Sequence, residues 1–171
     1  MQTDTVKILA AYNQAATAKM NETIKTLSAD EWNKALGGFF PSVRSLCSHI
    51  FTADLSWLKR FSKAREFASL KDPLLNQEID FKELRFPTVE EYLKDRLALD
   101  NLLSGFAQDL SGEDLAQDLS YANSSGQTFT KNFGGLALHL FVHSAHHRGM
   151  ISLYLELLGH ANDFNSLSQV L

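Results

Sequence analysis

Four of the six histidines fall within nine residues, in the run His139-Leu-Phe-Val-His143-Ser-Ala-His146-His147. If this run is helical, each residue turns ~100° about the axis. With His139 at zero, His143 lies near ~40°, His147 near ~80° and His146 near ~−20°. The apolar side of the same helix is expected to carry Leu136, Leu140, Met150, Tyr154, Leu157 and Leu158, with Ser144, Arg148, Ser152 and Glu156 opposite. On that reading the histidines point into the protein, where an imidazole needs its ring nitrogens satisfied and is a poor apolar filler. Clustered imidazoles repel one another when charged, which favours the neutral, metal-ligating form.

His143 and His147, spaced i and i+4, stack one turn apart on one face, so one ion can take both. A third ligand must come from another helix, and His49 is the obvious candidate, at the edge of a face carrying Leu46, Ala53 and Trp57. Three imidazoles leave a coordination position open, as catalytic sites do and closed structural sites do not. One divalent transition-metal ion is expected, and nitrogen donors suit Zn, Ni, Fe or Cu without choosing among them. A lone H-x-x-x-H is a weak signal, since most such pairs are solvated or paired with carboxylates; the match to the apolar side raises it here. His139 and His146 are expected to form core hydrogen bonds or to support the ligands, and His160 to lie at a helix end. Cys47, Trp57 and Tyr12 read as packing groups, and Asp54 as a structural hydrogen-bonding residue.

Four long amphipathic helices are expected to position these residues. The first spans about 5–27 and carries Val6, Leu9, Ala10, Tyr12, Ala16, Met20, Ile24 and Leu27 at helical spacing. Ser28 to Glu31 resembles a capping box restarting a short turn. The second long helix opens at Pro41-Ser42 and runs to about Ser62. Thr88 to Glu91 reads as a capping box for the third, which ends near Leu110. Residues 119–130 alternate around Asn123-Ser-Ser-Gly126 and suggest a small β-hairpin. The fourth helix runs from about Asn132 to Leu158 and stops at Gly159. The expected fold is therefore all-α, a four-helix bundle with a hairpin inserted before the last helix, built as one domain over residues 1–171.

At 171 residues with 44% apolar and 21% charged residues, the chain is expected to be ordered throughout. A net charge of −4 and no Lys/Arg stripe argue against direct nucleic-acid binding. One cysteine excludes an intramolecular disulfide and a Cys-based zinc site. No segment approaches the ~20 apolar residues of a membrane span, and the start of the chain does not read as a secretory signal. A cytoplasmic location is expected.

Beyond these readings, the chain resembles the DinB/YfiT-like family of bacterial four-helix proteins. The likeness rests on Tyr12-Asn13, Asn21, Phe39-Phe40-Pro-Ser42, Leu46-Cys-Ser-His49-Ile50, Ala53-Asp54 and Trp57-Leu58. Its most specific segment is His143-Ser-Ala-His146-His147-Arg148-Gly149, and it covers nearly the whole chain. The resemblance implies an up-down-down-up bundle, commonly a homodimer, with a metal held at His49, His143 and His147. Relatives commonly carry Gln after the His-Arg-Gly, where this chain has Met150. Characterised relatives include thiol-dependent transferases and a mycothiol-dependent isomerase. The expected function is thus metal-dependent transfer of a low-molecular-weight thiol to an electrophile, with no residue assigned as general base. Metal-dependent hydrolysis and a non-enzymatic metal- or ligand-binding role in stress response are the alternatives.

Overall fold

The computed structural model describes residues 2–123 and 125–169. Its four long helices are α1 (Thr3–Ile24), α3 (Val43–Phe61), α4 (Val89–Asp109) and α6 (Phe133–Leu157). Two short helices, α2 (Ala29–Asn33) and α5 (Gly112–Ala116), lie in the connections. Strands β1 (Asp118–Ala122) and β2 (Thr128–Asn132) form the antiparallel hairpin that leads into α6. Ser124, in the expected hairpin turn, lies outside the described residues.

The helix ends follow from side chains that meet otherwise unpaired amides. Ser42 caps α3 by accepting from Ser45 N, and Asn132 caps α6 by accepting from Gly135 N at 2.9 Å. Ser28 and Glu31 form the full reciprocal box of α2. At α4 only half of the expected box forms: Thr88 accepts from Glu91 N, with no return bond from the Glu91 side chain. Gly159 ends α6 at φ 92°, and His160 N donates back to Leu155 O at 2.8 Å, which closes the last turn.

Among the long helices, α1 packs against α4 and α6, and α3 packs against the same two. The first and second long helices are therefore diagonal, and α3 and α6, which carry the histidines, are neighbours. Aromatic clusters fill both ends. Phe61, Phe67, Phe106 and Phe133 stack beneath the hairpin, while Trp32, Phe51, Phe86 and Tyr92 meet near α2. Cys47 is fully buried, and burial pushes its thiol up to about 12, as expected of a packing residue. No described helix is long and apolar enough to cross a membrane.

Among these apolar side chains lies a buried ionic layer. Arg96 Nη1 meets Asp54 Oδ2 at 2.7 Å, Arg96 Nε meets Asp100 Oδ1 at 3.0 Å, and Ser144 Oγ donates to Asp54 Oδ1 at 2.8 Å. Arg148 donates to Asn13 Oδ1 and stacks on Tyr12, with its guanidinium carbon 5.0 Å from the ring centre. Burial opposes the charge of Arg96, but Asp100 and Asp54 more than offset it and keep the guanidinium protonated. The layer joins α3 and α6 to α4, and α6 to α1.

The expected orientation of α6 is corrected here. Ser144 and Arg148, placed on the outer side by the helical projection, are each only 1% exposed. Leu157, placed inside, is 59% exposed. The buried arc of α6 is centred on Phe133, Ala137, Ser144, Arg148, Ile151 and Leu155, and the histidines lie along its edge. The cause is that α6 is apolar nearly all round, so hydropathy alone does not select its inward face.

Candidate metal centre

Three histidines from two neighbouring helices converge at that edge. His49 of α3 and His143 and His147 of α6 each offer a ring nitrogen within 4.8 Å of the others. His49 Nε2 and His143 Nε2 stand 3.2 Å apart. The ring centres of His147 lie 4.5 Å from those of both partners. Two nitrogens bound to one tetrahedral ion at about 2.0–2.1 Å stand about 3.3–3.4 Å apart, so the closest pair already has near-ligand spacing.

Burial sets the charge state of the trio. His147 is 8% exposed, whereas His49 and His143 are half-buried. All three are lowered to about 4, first by burial and then by the neighbouring imidazoles. The rings are therefore neutral near pH 7, the form that donates a lone pair to a metal.

The donor set also lacks partners of its own. Nδ1 of His143 and Nδ1 of His147 are buried without a hydrogen bond, and no carboxylate joins the three rings. Leaving a buried polar atom unpaired costs about 1–3 kcal/mol. Three converging neutral imidazoles suit a divalent transition-metal ion, and the cluster could hold one.

The surroundings of the trio are built by loops pinned to the helices. Phe40 lies over His49 with ring centres 4.3 Å apart and meets His147 edge-on at 5.5 Å. Tyr154 of α6 holds that loop by donating to Phe40 O at 2.8 Å and to Gly37 O. Gly38, at φ 77°, passes so close that an added Cβ would lie 2.7 Å from the Tyr154 hydroxyl, so glycine is required there. On the other side, Phe81 comes within 6.5 Å of His49, ring centre to ring centre. Its segment is anchored to α3 where Ser48 Oγ accepts from Arg85 N at 3.0 Å and Lys59 Nζ donates to Gln77 O at 2.6 Å. A cavity of about 130 Å³ beside His49 is lined by Phe40, Ser45, Ser48, Thr52, Phe81 and Glu83, among others. The Thr52 hydroxyl is buried without a partner.

The other histidines separate from the trio. His139 and His146 are exposed rather than in the core. His139 packs edge-on against Trp57 at 5.4 Å and lies 5.8 Å from His143, and His146 meets His147 at 4.8 Å, so of the two expected roles contact with the trio fits and core hydrogen bonding does not. His160, at the end of α6, meets Glu31 Oε1 at 3.1 Å. Asp54 is buried and structural, as expected. Met150 is partly buried against the core. The Arg96–Asp100 pair escaped sequence reasoning, although Arg96 sits on the apolar stripe of Tyr92, Leu99, Leu103 and Phe106, an available signal for a buried charge.

Comparison with known proteins agrees with the resemblance. The curated protein named Protein DinB, from Bacillus subtilis (strain 168), is 27% identical over 154 residues, covering 90% of this chain and 86% of its own length. The model of the DinB family matches residues 1–165, and the chain accordingly belongs to the DinB family.

Proposed function

We propose that the protein is a metal-dependent enzyme that transfers a low-molecular-weight thiol to an electrophile, with His49, His143 and His147 as the ligands of one divalent ion. The observation that carries this reading is the convergence of three neutral imidazoles on one point beside a small cavity. An ion held there supplies Lewis acidity, which lowers the pKa of a coordinated thiol toward neutrality. Zn, Ni and Fe all suit the donors.

The chain's own residues define the rest of the chemistry. The pKa values near 4 keep the imidazoles available as ligands without first losing protons. Phe40 and Phe81 limit water around His49, and the cavity between them admits a small reacting group. Thr52 offers that group a hydroxyl with no competing partner. The proposed topology is an up-down-down-up four-helix bundle, a reading supported by the packing of α1 and α3 each against α4 and α6. A cytoplasmic homodimer is the proposed working form, supported by exposed Leu138, Val142, Leu153 and Leu157 on α6.

The test is a turnover assay with a thiol and monochlorobimane. The thiol sulfur forms the new S–C bond, chloride leaves with its electron pair, and the thiol proton passes to solvent. Thiol-dependent turnover by the metal-loaded protein, abolished in His143→Ala, supports the proposal. Metal-dependent cleavage of esters or amides without thiol transfer would replace it with the hydrolase reading. Metal binding without any turnover would leave a binding module.

A further inference from the structure

A larger cavity lies beyond the trio, on the same face of α3. It measures about 500 Å³ and is bounded by the C-terminal half of α3, the segment around Phe81 and the hairpin. Lys59 and Arg60 of α3 and Lys63 just past its end form one wall, the other walls include Phe81, Tyr121 and Thr128, and no carboxylate lines it. None of the three cations has a carboxylate partner among the described residues, in a chain whose net charge is −4. This concentration of positive charge against the overall balance marks an anion-attracting cleft.

Arg60 shows that the cleft is built. Its guanidinium carbon lies 4.6 Å from the Trp57 ring centre and 5.3 Å from that of Tyr121, which fixes the plane of the group. It makes no side-chain hydrogen bond among the described residues, so its donor fork remains available. Cations in the last turn of a helix also oppose the helix dipole. That role needs neither the aromatic clamp on Arg60 nor an apolar wall opposite it.

The cleft continues into the site. Ser45, Ser48, Thr52, Ser56 and Lys59 recur every three or four residues along α3, and all line either this cavity or the one beside His49. Phe81 lines both cavities. At 1.5 Å per residue, His49 and Lys59 are separated by about 15 Å along the axis.

We infer that the cleft formed by Lys59, Arg60 and Lys63 binds the carboxylate end of a peptide-sized anionic small molecule. This carboxylate site stands on the cleft alone and is independent of the proposed metal centre. Lys63 is exposed and Arg60 lies at the surface of α3, so their replacement leaves the core intact.

The experiment uses metal-stripped full-length protein titrated calorimetrically with S-methylglutathione, whose capped sulfur makes binding independent of the metal. Saturable binding is expected in the wild type and should weaken at least tenfold in Arg60→Gln/Lys63→Gln and in Lys63→Glu. The dimethyl ester of the same probe, lacking carboxylates, should bind the wild type correspondingly weakly. Metal content after reloading should be unchanged in both variants, so failure of the cleft and failure of the metal centre are read separately. No saturable wild-type binding, or equal affinity in wild type and variants, overturns the inference.

Discussion

His143 and Ser144 are neighbours on α6, as are His147 and Arg148, yet they serve polar sites of opposite kinds. Ser144 joins Asp54, Arg96 and Asp100 in a layer where buried charges meet counter-charges. A one-residue step around the helix leads to imidazoles whose buried Nδ1 atoms meet nothing. Paired charges of this kind hold helices in one register. Converging neutral ring nitrogens, with no carboxylate among them, form a set that a bound ion can use. The first region explains how α3 and α6 are held together, and the second is a three-histidine cluster that could hold a metal.

The largest expected effect separates the two regions directly. His143→Ala should lower metal affinity by more than about 100-fold, since disturbing even an outer partner of a ligand costs 10–100-fold. Its helical circular dichroism should stay unchanged, because the hydrogen bond removed is the one to His49 within the trio itself. Unaltered affinity in a competition titration would break the assignment.

In the ionic layer the effect should fall on stability instead. Asp54→Ala leaves Arg96 with an uncompensated share of its buried charge and should cost about 3–5 kcal/mol. Urea unfolding measures this, and folded variant protein at low temperature should still bind metal. Ser144→Ala removes the bond to Asp54 and should cost about 1.5–3 kcal/mol by the same assay. A metal loss as large as that of His143→Ala, in protein shown to be folded, would mean that the two regions are not separable.

Acid sharpens the contrast further. The trio is lowered to about 4 in the fold, against an ordinary histidine value near 6.5. Between those values the unfolded chain binds more protons than the folded one. The trio's contribution to metal-free stability should thus be complete above pH 6.5 and be lost as the pH falls toward 4. Metal uptake near pH 6 should release almost no protons from these rings. Proton release by a pH-indicator dye checks this; release of one or more protons per ion would contradict the lowered values. The smallest effect lies far from both regions. Asn132→Ala removes the cap of α6 and should cost about 1 kcal/mol, with metal affinity unchanged.

Much of this architecture was legible in the chain because its signals are local. Ser28 with Glu31, Ser42, Asn132 and Gly159 mark helix ends through bonds made within a few residues. The i, i+4 spacing brings His143 and His147 together on any helix, and His49 was the natural third member. The facing of α6 was not legible, because exposed Leu138, Val142 and Leu153 blur its apolar side. Ser144 and Arg148 were read as outward for that reason, since their partners lie 90 and 135 residues away in sequence. The loop carrying Phe40 over His49 depends on the Tyr154 clamp, another contact between distant segments.

The most direct test of the central claim is elemental analysis of untagged, purified protein beside His49→Ala. The account predicts about one divalent metal per chain in the wild type and a large loss in the variant. No metal in either protein after incubation with Zn or Ni would contradict it and reduce the three histidines to packing.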